Sequence, residues 1–138
     1  MQDRPTVHEL LSAVQRFLDE EIVPATEGRR QFLARVSANV LRTLDRELES
    51  EERHAAAEWT SLDALLVAEP APATAVERRT GLLRRNEELC ERIRSGALDS
   101  GDGLDARLLE HVRRTVRDKL AVTNPAWLEA DAKRAPRG

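Results

Sequence analysis

Apolar residues return along this chain every three or four positions, the period of an α-helix with one buried side. Leu10, Leu11, Val14, Phe17 and Leu18 make the first such run. Thr6-Val7-His8-Glu9 opens it as a capping box, in which the Thr6 hydroxyl caps the helix and Glu9 reaches back to the Thr6 amide. Pro24 ends or kinks the run. The second and longest run, 27–53, puts Phe32, Leu33, Val36, Val40, Leu44 and Leu48 on its expected inward side. Its C-terminal half carries Glu47, Glu49, Glu51 and Glu52 at the negative end of the helix macrodipole, so that end is expected to fray.

A third, alanine-rich run at 55–68 offers Trp59, Leu62, Leu65 and Leu66 for burial. Two prolines within 69–74 mark a linker. The fourth run, 75–95, carries Leu82, Leu83, Leu89, Cys90 and Ile93, with Gly96 placed for a left-handed C-cap. A flexible, acidic turn containing Gly101-Asp102-Gly103 follows. The fifth run, 104–122, aligns Leu108, Leu109, Val112, Val116 and Leu120. Asn124-Pro125 stops it, and Trp127 and Leu128 are expected to fold back onto the bundle. No strand is required, no repeat is visible and no heptad persists. The expected fold is all-α, a single-domain bundle of about five helices over 1–130, with a frayed tail at 131–138.

Composition narrows the class. With 138 residues, 41% hydrophobic and 34% charged, the chain is neither disordered nor a membrane protein. No apolar run approaches the roughly 20 residues a bilayer span needs, and the first residues lack the apolar core of a signal peptide. The single cysteine excludes an intrachain disulfide and a cysteine-based zinc site. A cytoplasmic protein is expected. Net charge is −3 but uneven: 40–69 holds three arginines against eight acids, whereas 75–95 and 105–120 each come to +2. The simplest reading sets acidic and basic helices side by side. With no tyrosine and two phenylalanines, nucleic-acid binding is not expected.

Two asparagines interrupt apolar stripes: Asn39 in the second run and Asn86 in the fourth. Burying an unpaired amide costs about 1–3 kcal/mol. Each therefore either fixes helix register or lines a polar pocket. Arg35 shares a flank with Asn39, and Arg113 shares one with Arg117. If these flanks face each other, they suit a carboxylate or phosphate. The simpler alternative is a solvated basic surface paired to the acidic run. The candidate ligand-binding residues are thus Arg35, Asn39, Asn86, Arg113 and Arg117.

Nothing else points to chemistry. His8, His54 and His111 lie on separate runs without metal-ligand spacing; the first two are expected to be exposed, His111 flanks the inward side of its run between Leu108 and Val112, and surface histidines are preferred to a metal site. Cys90, inside a helix, reads as a small buried hydrophobe. There is no nucleophile elbow and no phosphate-cradling glycine loop. No catalytic residue, metal or cofactor is expected.

Four blocks carry a family resemblance: Met1-Gln2-Asp3-Arg4-Pro5-Thr6, Phe32-Leu33-Ala34-Arg35-Val36-Ser37-Ala38-Asn39, Asn86-Glu87-Glu88-Leu89-Cys90-Glu91-Arg92-Ile93-Arg94, and the ending from Thr115 to Pro125. In that order they resemble a bacterial family of small helical proteins classed as a domain of unknown function; 56–74 is the least family-like stretch. The resemblance puts motif positions at Arg4, Arg35, Asn39, Asn86, Arg92, Arg117, Lys119 and Asn124. It implies genes encoded beside an aminoglycoside-phosphotransferase-like kinase and an acyl-CoA dehydrogenase. From that context the expected role is a non-catalytic accessory or interaction protein in acyl-CoA or hydroxy-acid catabolism, with a phosphotransferase-like or acyl-CoA dehydrogenase-like partner. Its association should weaken as salt rises, given the charge segregation. The alternative is a binder of a carboxylate, phosphate or acyl thioester; an enzyme ranks last. Homodimerisation is compatible with each.

Overall fold

The computed structural model describes residues 4–100, 103–104 and 106–134. Residues 1–3 of the opening motif, 101 and 102 of the acidic turn, and 135–138 of the expected tail lie outside the described residues. The chain is all-α, with five helices of ten residues or more among the described residues. The one exception is a two-residue antiparallel pairing of Asp99–Ser100 with Gly103–Leu104. It divides into two compact units, Met1–Glu49 and Ser50–Gly138.

The first unit opens with α1, Val7–Phe17, whose capping box is complete. The Glu9 amide donates to Thr6 Oγ1 at 3.2 Å, and the Thr6 amide donates to Glu9 Oε2 at 2.7 Å. Pro24 has no amide hydrogen to offer the preceding turn, and the chain widens there into a π-helical turn, Leu18–Ile22, before a single turn α2, Val23–Ala25. Gly28, at φ +56°, then takes the left-handed conformation that starts α3, Gly28–Asp63. His8 Nδ1 pairs with Asp45 Oδ1 at 2.5 Å, and Arg42 Nη1 donates to Asp19 Oδ2 at 2.7 Å, tying α1 to α3.

What this unit buries overturns the expected inward side. Among its described residues only Ala34 and Ala38 are buried. Phe32, Leu33, Val36, Val40, Leu44 and Leu48 are 42–63% exposed. Val7, Leu10, Val14 and Phe17 of α1 are open too. Leu11, Leu18, Ile22, Val23 and Leu41 are half-buried, while the larger part of the expected stripe lies outside.

The second unit holds the core, made of Trp59, Leu62, Leu65, Leu66, Leu82, Leu89 and Leu108. The runs expected as separate helices at 27–53 and 55–68 are one helix, so Glu51 and Glu52 do not face the negative end of a dipole. They pair instead with Arg79 and Arg78 of α4, Ala75–Arg94. Thr74 caps α4, accepting from the Glu77 amide at 3.2 Å. Gly96, at φ +73°, ends it: the Ala97 amide reaches Arg92 O at 3.0 Å, as a left-handed C-cap requires. Helix α5, Ala106–Thr123, stops before Asn124-Pro125 as expected. Pro125 then opens α6, Pro125–Arg134, where its missing amide costs nothing. That helix runs four residues into the stretch read as a tail.

Two more stripes are rotated from expectation. On α4 the buried line is Leu82, Arg85 and Leu89, while Leu83, Cys90 and Ile93 are exposed. On α5 it is Leu108, His111 and Val122, while Leu109, Val112 and Val116 are exposed. Trp127, expected to fold back, is also exposed. Among the described residues, no helix is long and apolar enough to cross a membrane.

Candidate functional site

The two asparagines part company. Asn86 is half-buried, and its Nδ2 donates to Glu58 Oε1 at 2.7 Å and to Leu82 O at 2.9 Å. It therefore fixes the register of α4 on α3. Asn39 is exposed, in the first unit with the exposed Arg35. Arg113 and Arg117 are exposed on α5 of the second unit, which also holds Asn86.

The most heavily buried polar group is one that the sequence reading passed over. Arg85 is 0% exposed and stacks its guanidinium 4.7 Å from the centroid of the Trp59 ring. Its Nη2 donates to Val67 O at 3.2 Å. Its Nη1 lies 2.7 Å from Asp63 Oδ1 in an ion pair whose angle falls short of a hydrogen bond, and its Nε has no acceptor. Asp63 Oδ1 also accepts from the Glu69 amide at 3.2 Å, and Trp59 Nε1 donates to Glu69 O at 3.0 Å. With Arg84 paired to Glu69, these contacts clamp the proline-bearing linker to the helices on either side. Acidic α3 and basic α4 lie side by side here, as the uneven charge suggested. One signal for Arg85 was present: it stands three residues after Leu82 and four before Leu89, inside the apolar line.

His111, expected at the surface, is buried at 3% exposure, and its Nδ1 shares a 3.0 Å hydrogen bond with Ser61 Oγ. Both line a cleft of about 440 Å³ with Thr60, Arg107, Glu110 and Arg114. Burial pushes the imidazole below its usual pKa, against the opposing pull of Glu58 and with help from Arg114 and Lys119. A serine–histidine pair suggests acyl transfer, but Ser61 sits within α3, where helical amides are spent on carbonyls and form no oxyanion hole. The pair has a clear stability signature. The unfolded histidine takes up a proton near 6.5, the folded one only at lower pH, so protons favour the unfolded chain. The stabilisation from neutral His111 should be complete above about pH 6.5 and fall away as pH drops through the depressed value. Urea melts from pH 8 to 5 should show this loss, and His111→Gln should flatten the profile. An unchanged profile would mean that His111 is not buried. Among the described residues, no cluster of His, Cys, Asp or Glu is arranged to hold a metal.

The remaining feature is the outer surface itself. Single exposed apolar side chains are ordinary. Lines of them along helices are less so. Three occur: Val7, Leu10, Val14 and Phe17 on α1; the six large residues of α3; and Leu109, Val112 and Val116 on α5.

Neither a curated protein nor a solved structure matches the chain. The model of one family, described as a domain of unknown function (DUF6285), matches residues 24–127. The match takes in the divergent stretch 56–74 and leaves out the opening six residues. The chain belongs to this family.

Proposed function

We propose that this DUF6285 member is a non-catalytic interaction protein that docks on a larger partner through its open apolar helix faces. The observation that supports this most is the row of large side chains left outside on α1, α3 and α5. The partner implied by the resemblance is a phosphotransferase-like or acyl-CoA dehydrogenase-like protein, in cytoplasmic acyl-CoA or hydroxy-acid catabolism. Docking of this kind is apolar in origin. Half of the acidic stretch is spent within the second unit, on the pairs of Glu51, Glu52, Asp63 and Glu69 with α4 arginines. Complexes held by apolar area survive salt that screens exposed charge.

A tagged pull-down from the native host at low and raised salt tests this. One stoichiometric protein of either class should be recovered at both salts and lost with Phe17→Glu, which puts a carboxylate in the α1 line. Recovery of the chain without either class would overturn the reading. The second reading, a binder of phosphate, carboxylate or acyl thioester, draws on Arg107, Arg114 and His111 around the cleft. It requires a thermal shift with inorganic phosphate or an acyl-CoA that Arg114→Ala abolishes.

A further inference from the structure

We propose that the cleft between the end of α3 and the start of α5 binds a small monocarboxylic acid with a compact apolar body, held by the His111 imidazole and the Arg114 guanidinium. This rests on the second reading above and narrows it to one ligand class. All the residues that line the cleft belong to the second unit.

The cleft holds one fixed donor. His111 is 3% exposed, and its Nδ1 meets Ser61 Oγ at 3.0 Å. Among the described residues the Ser61 hydroxyl has no other acceptor. Its proton is satisfied when Oγ donates to Nδ1, which places the neutral ring's own proton on Nε2. Among the described residues Nε2 has no hydrogen-bond partner, and it is not one of the side-chain atoms sealed from solvent without one. A ring held by burial thus turns an N–H onto the cleft that it lines. Such a donor calls for an acceptor oxygen. The Thr60 hydroxyl beside it is already spent on Ala56 O at 3.1 Å.

The charge calls for a monoanion. Arg107 and Arg114 stand seven residues apart, two turns along one flank of α5, with Glu110 between them. Two arginines against one glutamate give the lining a formal charge of +1 while the ring is neutral. Among the described residues Arg114 makes no ion pair or hydrogen bond. One carboxylate matches this charge, and its two oxygens can take the guanidinium and the Nε2–H together. A phosphate dianion would instead bring a second negative charge beside Glu110.

The walls and size call for a compact apolar body. Ala64 and Ala106 contribute methyl groups, and most of the open lining is apolar. About 440 Å³ lies toward the small end of ligand sites, which run from about 300 to 1,000 Å³. That is room for a ring or a short chain beside the carboxylate. It cannot enclose a coenzyme A thioester, whose acyl end also lacks the negative charge.

Amide ¹H–¹⁵N spectra of the full chain at neutral pH, titrated with benzoate, test this. Benzoate should shift the amides of 60–64 and 106–114 saturably, with a Kd on the order of 1 mM, the scale for a fragment of this size. Benzamide, of the same shape but uncharged, should bind about tenfold more weakly. Inorganic phosphate and benzoyl-CoA should each bind more weakly than benzoate. Arg114→Gln should weaken benzoate about tenfold and leave benzamide unchanged. His111→Phe, which keeps a ring and loses the N–H, should weaken both. Ala64→Leu, at an exposed position, should fill the cleft and abolish both while the circular dichroism stays intact. Equal binding of benzoate and benzamide, undiminished binding of benzoate to Arg114→Gln, or benzoate shifts confined to other residues would each overturn the inference. Saturation by phosphate or benzoyl-CoA without saturation by benzoate would overturn this inference and leave the second reading standing. Binding of none of these probes would overturn both.

Discussion

Asp63→Ala should lower the unfolding free energy by about 3–5 kcal/mol, the scale for stranding a buried charge. The Arg85 side chain is fully enclosed, and Asp63 is its ion-pair partner. Without the carboxylate, the guanidinium keeps only the Val67 carbonyl and the face of Trp59. The same change leaves the Glu69 amide without its acceptor, loosening the linker. Adding Arg85→Met should recover most of the loss, since an unbranched apolar side chain can lie on the indole without needing an anion. Urea titrations of the two variants decide the matter. A loss below about 1 kcal/mol for Asp63→Ala would show that Arg85 is hydrated rather than buried.

Gly81→Val should cost about 3 kcal/mol, at the upper end of overpacking effects. A Cβ at Gly81 would lie 2.8 Å from Cζ3 and 2.9 Å from Cη2 of Trp59. The ring has little room to retreat, being held by its bond to Glu69 O and covered by the Arg85 guanidinium. Gly81→Ala is the sharper control. On an exposed helix face this change gains about 1 kcal/mol of helix propensity. Here the clash should exceed that gain, so the alanine variant should melt lower than wild type. A higher melting point would mean that α4 does not approach Trp59 this closely.

Trp59 and Arg85 also show how far sequence reading reaches at a candidate site. Trp59, Leu62, Leu65 and Leu66 were legible as buried because they are the large apolar side chains at helical spacing in an otherwise alanine-rich run. Arg85 was not, since Arg78, Arg79, Arg84 and Arg85 are chemically alike and only the packing of α4 selects one of them. Asn86 was legible as a group needing partners, and it has them. Asn39 has the same sequence signature and stands exposed, because the stripe around it faces outward. His111 read as a surface residue between Leu108 and Val112, but α5 buries the 108–111–122 line rather than the 109–112–116 line.

The local elements were determined by the sequence alone. The Thr6–Glu9 box, Pro24, Gly96 and Asn124-Pro125 act over three or four residues, and their hydrogen bonds close within the segment that carries them. Helical period is equally local, so the all-α class followed from it. Outside the Trp59–Leu66 stretch, which side of each helix faces inward was decided only by tertiary structure. A period of 3.6 reports that a helix has an apolar side, and the hydrophobic effect favours covering it, but neither says whether the same chain or another molecule provides the cover. In this chain Ala34, Ala38, Arg85 and His111 lie inside along with Trp59 and the leucines packed on it, and the richest stripes of α1, α3 and α5 remain open.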